Sequence, residues 1–156
     1  MRRQLRIMVL DSSETSRKIL EVILRRAGHL AVGFGDPVEA LRFLSQREPA
    51  DMLFLGMELP KVDGFGVLKH VRGEPRFRST IPVVLLDDRA GVLDRIKARL
   101  AGAQHVVVKP LVRQRITALV SSHLIPEDGG TEGSSPTEAA GLWVAGRRSA
   151  PKEGER

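Results

Sequence analysis

The chain has 156 residues, of which 42% are hydrophobic and 28% are charged, as is typical of a single soluble globular domain. The absence of cysteine excludes disulfide frameworks, thiolate metal sites and cysteine nucleophiles. Because no apolar run approaches the roughly 18 residues of a membrane span, we expect a cytoplasmic protein without membrane contact. The net charge of +6 is compatible with acidic partners or nucleic acid, but one Trp, five Phe and no Tyr offer few stacking platforms, so nucleic acid is a disfavoured alternative.

The first part of the chain alternates apolar segments with amphipathic ones. Residues 5–10 predict a strand, and helically spaced apolar residues up to a stop at Gly28 predict the first helix. Residues 30–34 predict a second strand. Asp36 then caps a second helix, with Pro37 at its first position. We expect the buried stripe of this helix to consist of Val38, Leu41 and Leu44.

The alternation continues to about residue 124. Residues 52–55 predict a third strand, residues 64–72 a short helix and residues 81–86 a fourth strand. A helix ending near Gly102 is marked by Val92, Leu93, Ile96 and Leu100. Residues 106–108 predict a fifth strand. The last helix is marked by Val112, Ile116, Leu119 and Val120.

Apolar strands that alternate with helices indicate an α/β fold, a parallel sheet covered by helices on both faces. Such sheets place their sites at the carboxyl ends of the strands. The residues that we expect at those ends include Asp11, Ser12, Gly56, Glu58, Asp87 and Lys109.

These segments resemble, in the right order, the receiver domain of bacterial response regulators. The similar segments are residues 7–13, 51–60, 62–65, 81–86 and 102–110. The resemblance covers about residues 4–124 and implies a doubly wound, flavodoxin-like sheet of five parallel strands in the order 2-1-3-4-5 with five helices. We therefore expect a receiver-like domain over residues 1–124.

Residues 125–156 lie outside that resemblance. They are rich in Gly, Ser and Pro and poor in apolar residues, so we expect a disordered tail. Its apolar cluster, Leu142, Trp143 and Val144, is a candidate docking motif for a partner. The alternative that it folds back onto the domain stays open.

The chain departs from the pattern that the resemblance implies. Typical members end the third strand with a phosphorylated aspartate and the first strand with two acidic residues that hold Mg²⁺. Here Gly56 takes the place of the phosphorylated aspartate, and Ser12 that of the second acidic residue. At the switch positions, Asp87 replaces the usual Thr or Ser, and Val106 replaces the usual aromatic residue. The residues that match are Asp11, Lys109 and Pro110.

An acyl phosphate needs a carboxylate nucleophile, and Gly56 supplies none. Asp51 begins the third strand at the opposite edge of the sheet, and Glu58 follows Gly56 by two residues, so neither replaces it. We therefore predict a degenerate receiver that cannot be phosphorylated at the usual place. Having lost two acidic residues, the pocket is expected to be locked by an ion pair of Lys109 with Asp11 or Asp87.

Three features of the sequence could indicate a bound ligand, and each also has a structural interpretation. Asp11, Glu58 and Asp87 are oxygen ligands that could hold a divalent cation, but a structural ion pair with Lys109 is simpler. Residues 12–16 are similar to a flavin-phosphate loop, yet they also fit a helix cap. The histidines, among them His105, show no pairing at metal-ligand spacing in the sequence. We expect no metal and no cofactor.

The sequence thus predicts a non-enzymatic, phosphorylation-independent receiver domain that acts as an adaptor. The resemblance implies that signalling or regulatory proteins bind the face made by the fourth helix, the fifth strand and the last helix; an ordinary solvated basic surface is the alternative. The residues of this face are Arg95, Arg99, Val106, Arg113 and Arg115. A homodimer is a further possible assembly. The alternative functions are control by a small ligand or anion in the altered pocket and a basic DNA-associating regulator.

Overall fold

A computed structural model describes residues 3–124 and Trp143. The strands are β1 (Arg6–Leu10), β2 (Leu30–Phe34), β3 (Met52–Gly56), β4 (Ile81–Leu86) and β5 (His105–Val108). The helices are α1 (Glu14–Arg26), α2 (Pro37–Ser45), α3 (Gly64–Gly73), α4 (Val92–Leu100) and α5 (Arg113–Ser121), with a short 3₁₀ turn at Pro75–Phe77.

The five strands form one parallel sheet in the order β2-β1-β3-β4-β5, which confirms the predicted fold class and strand order. Leu10 is in register with Phe34 and Leu55, so β1, β2 and β3 end at nearly the same level. Leu86 pairs with Val108 in the same way. The loops that follow β1, β3, β4 and β5 therefore meet at one edge of the sheet.

Two apolar layers cover the sheet, one on each face. One layer packs α1 and α5 against the strands through residues such as Leu20 and Ile116. The other packs α2, α3 and α4 through residues such as Leu44, Leu68 and Ala98. Burial on both faces explains why the strands read as continuous apolar runs.

The predicted buried stripe of α2 is wrong in part. Leu44 is buried, but Leu41 is only half-buried and Val38 is 46% exposed. The residues that face the core are Pro37, Ala40, Phe43 and Leu44. The stripe starts one residue earlier than predicted, because Pro37 itself packs inward.

The apolar residues that predicted α4 do mark a helix, but they face outward. Val92 and Leu93 are each 72% exposed, and Leu100 is 83% exposed. Ala98 is the buried residue of this helix. A small side chain therefore makes the core contact, and the larger apolar ones form a surface.

Within the described part of the chain, no helix is both long and apolar enough to cross a lipid bilayer. Of the predicted tail motif, Trp143 is described and is buried. Leu142 and Val144 lie outside the described residues, and so does the rest of the predicted tail.

Candidate functional site

A cavity of about 420 Å³ opens at the carboxyl ends of β1, β3, β4 and β5. The residues that sequence analysis placed in the pocket and that line this cavity are Asp11, Gly56, Glu58, Asp87 and Lys109. Ser12, which was also placed there, is exposed and is not among the lining residues. The structure adds Arg89 and Asp94 to the lining, which sequence analysis missed.

Asp11 is the buried carboxylate of this cavity, only 2% exposed. Its Oδ1 accepts a hydrogen bond from the backbone N–H of Ser13 at 2.8 Å, which fixes the orientation of the carboxylate. Its Oδ2 lies 2.9 Å from Nζ of Lys109 in an ion pair, although this oxygen has no hydrogen bond within the described residues. Of the two partners that the sequence left open for Lys109, the structure therefore selects Asp11.

Lys109 is held at the cavity by its backbone as well as by its charge. Its N–H donates to the carbonyl of Leu86 at 2.8 Å, which continues the β4–β5 pairing to the end of the sheet. The peptide bond between Lys109 and Pro110 is cis. The side chain is 28% exposed, so the ammonium group reaches from the rim toward the buried Asp11.

Gly56 leaves room for this ion pair. A Cβ atom at position 56 would lie 3.0 Å from both Cγ and Oδ2 of Asp11, closer than ordinary van der Waals contact. Any larger residue at position 56 would therefore require the Asp11 carboxylate to shift. The absence of a side chain at position 56 thus leaves the Asp11 carboxylate in the position where it pairs with Lys109.

Gly64 closes the loop between β3 and α3. Its N–H donates to the carbonyl of Met57 at 2.9 Å. A Cβ at position 64 would lie 2.5 Å from the carbonyl oxygen of Gly56 and 2.7 Å from Cα of Met57, so the close approach of two backbones requires glycine. Asp63 caps the helix by accepting the N–H of Gly66 at 2.8 Å.

Asp87 lies at the mouth of the cavity and is exposed. A hydrogen bond between the side chains of Asp87 and Asp88 lowers the pKa of Asp87 and raises the pKa of Asp88. The Asp87 carboxylate also accepts the backbone N–H of Arg89 at 3.0 Å. Asp87 thus caps its own turn and leaves the ion pair with Lys109 to Asp11.

The loop after β1 is a helix cap. Oγ of Ser13 accepts the N–H of Ser16 at 3.2 Å at the start of α1. The Arg17 guanidinium donates to the backbone carbonyl of Asp11 at 2.8 Å. These contacts support the cap interpretation of residues 12–16 over the phosphate-loop interpretation.

Two histidines that are distant in sequence meet at the other end of the sheet. Nε2 of His105 lies 2.6 Å from Nε2 of His123, a contact that the sequence spacing did not reveal. Burial is the main factor that lowers the pKa of His105, followed by the nearby His123 and Arg99. A separate histidine, His29, is buried, and its Nδ1 accepts the backbone N–H of Leu5 at 3.1 Å.

The predicted partner face carries apolar as well as basic side chains. Its four arginines are exposed, and Val106 on β5 is half-buried against the core. Beside Arg95 and Arg99 on α4 lie the outward-facing apolar residues, which sequence analysis did not assign to this face. These are Val92, Leu93, Ile96 and Leu100.

The Mg²⁺ that the resemblance implies does not fit the residues present. Oδ1 of Asp11 is held by a backbone N–H, its Oδ2 faces the Lys109 ammonium group, and Gly56 offers no side-chain ligand. Within the described residues, no group of three or more His, Asp or Glu side chains could hold a metal ion. The ammonium group supplies the positive charge beside Asp11.

Comparison with known families and proteins gives a consistent assignment. A family model described as the response regulator receiver domain matches residues 7–121. Protein PilG of Pseudomonas aeruginosa is 27% identical over 120 residues, which cover 77% of this chain and 87% of PilG. The probable transcriptional regulator ycf27 of Guillardia theta is 33% identical over 119 residues, which cover 76% of this chain and 45% of that protein. This chain therefore spans less than half the length of that regulator.

Solved structures give the same fold. A putative response regulator from Chloroflexus aurantiacus superposes with a TM-score of 0.71 at 25% identity, covering 77% of this chain and 97% of that one. The chemotaxis response regulator CheY4 of Vibrio cholerae gives a TM-score of 0.70 at 20% identity, covering 77% of this chain and 98% of that one.

Proposed function

The chain belongs to the response regulator receiver domain family, and from this premise we propose that it is a receiver of two-component signalling that takes no phosphate at position 56. In this proposal it works as an adaptor, which binds other proteins in one constitutive conformation and performs no catalysis. Its surface, and not a phosphorylation cycle, determines what it binds.

The observation that carries this proposal is the ion pair between Asp11 and Lys109 beside Gly56. Oδ2 of Asp11 and Nζ of Lys109 lie 2.9 Å apart. A Cβ atom at position 56 would lie only 3.0 Å from the Asp11 carboxylate. A cation is thus already placed against the buried carboxylate, and the attacking group that phosphoryl transfer needs is absent from position 56. Lys109 therefore compensates the buried charge of Asp11 without any added group.

The outward face of α4 is the favoured binding surface. Side chains such as Leu93 and Leu100, 72% and 83% exposed, are unusual on a free surface when they cluster, and arginines surround them. Apolar anchors with arginine at their edge are characteristic of protein interfaces. We expect a partner with an apolar patch edged by acidic residues, which a second copy of this chain does not offer through the same arginine-edged face.

DNA binding receives less support. The ycf27 proteins are described as probable transcriptional regulators, but the match covers 45% of the one from Guillardia theta. That description therefore belongs to the whole of that longer protein. A basic net charge is the remaining argument for nucleic acid.

Affinity capture from the native cell tests the adaptor proposal. The wild-type chain and a Leu93→Lys/Leu100→Lys variant serve as baits, each with and without acetyl phosphate. We expect the wild type to recover the same protein in equal amount under both conditions and the variant to lose it. Recovery that requires acetyl phosphate, or that the variant retains in full, contradicts the proposal.

A second candidate function is control by a small anion in the cavity. Lys109 and Arg89 are the cations of its lining, which also holds four carboxylates, those of Asp11, Glu58, Asp87 and Asp94. An anion would compete with Asp11 for the lysine. Inorganic phosphate that raises the melting temperature of the wild type, but not of Lys109→Met, would favour this candidate.

A further inference from the structure

The sequence contains one tryptophan, Trp143, and its side chain packs against the receiver domain. Its side chain is only 3% exposed, within the apolar layer formed by α2, α3 and α4. An indole ring is large and has one polar atom, so it is seldom buried to this extent unless a shaped site and a hydrogen-bond acceptor receive it.

The site that receives it lies at the end of α2. The Trp143 ring meets the ring of Phe43 edge to face, with centroids 5.5 Å apart and an interplanar angle of 86°. Its Nε1–H donates to the backbone carbonyl of Glu48 at 3.3 Å. The rings of Phe43 and Phe34 are also in contact, with centroids 5.2 Å apart. The Arg47 guanidinium lies 4.0 Å from the centroid of the Phe43 ring. We call these groups the aromatic socket: Phe34, Phe43, Arg47 and the carbonyl of Glu48.

The backbone of the socket is held in place from outside. The guanidinium of Arg76 donates to the carbonyls of Ser45 and Arg47, and that of Arg6 pairs with the Glu48 carboxylate. Arg76 thus contacts the backbone of the segment that presents the acceptor for the indole, and Arg6 pairs with an exposed side chain of that segment. A preformed acceptor lowers the entropic cost of binding.

The length of the chain allows Trp143 to reach the socket of its own molecule. Residues 125–142 separate it from the end of the domain. Such a segment can span up to about 60 Å, whereas a domain of this size has a diameter of roughly 35 Å. The entropic cost of closing a loop rises only slowly with its length, and binding within one molecule needs no second copy.

We infer that the aromatic socket is an interaction surface whose occupant is the chain's own C-terminal segment, anchored in cis by Trp143. This inference does not depend on the proposed adaptor role of α4. While Trp143 occupies the aromatic socket, the socket is not available to other proteins. An aromatic side chain of another protein would have to displace Trp143 in order to bind there. Trp143 is then a second point of attachment to the domain, in addition to the covalent connection after Leu124.

Intrinsic fluorescence of the full chain tests this inference, because Trp143 is its one tryptophan and it has no tyrosine. We expect the native chain to emit at shorter wavelength than the urea-unfolded chain and to resist quenching by acrylamide. Phe43→Leu should shift the emission toward that of the unfolded chain and increase quenching, with the circular dichroism spectrum unchanged. The matched control is Phe54→Leu, which alters a buried phenylalanine of the other apolar layer, on the opposite face of the sheet.

Native emission and quenching equal to those of the unfolded chain would overturn the inference, and so would an equal response to both substitutions. If Phe43→Leu does not fold, the wild type alone decides: an NMR cross-peak between the indole Nε1–H and the Phe43 ring supports the inference, and its absence overturns it. Dilution distinguishes cis from trans. Emission that does not change with concentration supports the intramolecular contact, and a shift toward the unfolded value on dilution shows that the socket is filled by a second copy.

Discussion

At the scale of single residues, the pocket is defined by how Asp11 is used. Its Oδ1 is fixed by the N–H of Ser13 and its Oδ2 faces Lys109, so one carboxylate connects the β1 loop to the β5 loop. Removing one partner of a buried ion pair leaves the other charge desolvated and unpaired. The free-energy cost of that unpaired charge exceeds the net contribution of the intact pair to stability. The ion pair is therefore expected to matter for stability as well as for function.

Lys109→Met should destabilise the domain by about 1–3 kcal/mol, because it leaves the buried Oδ2 of Asp11 without its cation. Urea unfolding at neutral pH measures the effect. Lys69→Met, which alters an exposed lysine on α3, is the control and should change little. The double variant Asp11→Asn/Lys109→Met should recover part of the loss, since it removes the unpaired charge. Equal stability of Lys109→Met and wild type would argue against this role of the ion pair.

Gly64→Ala should destabilise the domain by about 1–3 kcal/mol, because the new methyl group would meet the backbone of Gly56 and Met57. Gly73→Ala at the end of the same helix is the matched control. Its Cβ would have nothing within 4 Å, so this change should be neutral or stabilising by up to about 1 kcal/mol. Thermal unfolding of the two variants side by side compares them, and equal melting temperatures would refute the steric argument.

Residue types alone indicated which groups lie at the pocket but not how they pair. The sequence left Asp11 and Asp87 as alternative partners of Lys109. The choice depends on backbone geometry: Asp87 turns to the N–H of Arg89, whereas Asp11 is oriented inward by the N–H of Ser13. Such local hydrogen bonds depend on loop conformations that periodicity does not encode.

At the scale of elements, α4 shows what helical spacing can and cannot predict. Apolar residues three and four positions apart correctly indicated a helix. The same spacing does not reveal which side of the helix meets the core, and here Ala98 does, while Leu93 and Leu100 face solvent. For α2 the spacing gave the right element but placed Val38 in the core in error.

Leu100→Lys should change the free energy of unfolding by no more than about 0.5 kcal/mol, because the side chain is already 83% exposed. Ala98→Lys on the same helix should be severely destabilising, since it buries a charge. Chemical denaturation distinguishes the two. A large loss for Leu100→Lys would mean that α4 faces the core in solution.

Two histidines should make the domain less stable in mild acid. Burial lowers the pKa of His29 and of His105 relative to the ordinary value of 6.5, so the folded state binds fewer protons than the unfolded chain. The free energy of unfolding should therefore fall as the pH is lowered below about 6.5, and it should level off only below the lowered pKa values.

His29→Asn tests the contribution of the buried histidine, because an amide oxygen can accept the N–H of Leu5 without titrating. Urea unfolding across this pH range should show a weaker pH dependence in this variant than in wild type. His70→Asn, a change at an exposed histidine, is the control and should keep the wild-type profile. A pH dependence that His29→Asn leaves unaltered would contradict the assignment to His29.

At the scale of the whole molecule, the alternation of strands and helices was sufficient to predict the parallel sheet, and the family resemblance supplied its order. The contact of Trp143 with Phe43 was not predictable, because a hundred positions separate the two residues and no local pattern connects them. Long-range contacts of a single side chain are visible only in three dimensions. The same holds for His105 and His123.

We expect this receiver domain to take no phosphate in its altered pocket, and mass spectrometry after incubation with acetyl phosphate and Mg²⁺ measures whether it does. A receiver domain that has the usual aspartate is treated in parallel as positive control, and acyl phosphates are trapped by borohydride reduction before peptide mapping. We expect an unmodified chain, whereas the control should carry the alcohol that replaces its phosphorylated aspartate. Borohydride converts an aspartyl or glutamyl phosphate to the corresponding alcohol with loss of phosphate, so an alcohol found at Asp11, Asp87 or another carboxylate around the cavity would contradict this expectation.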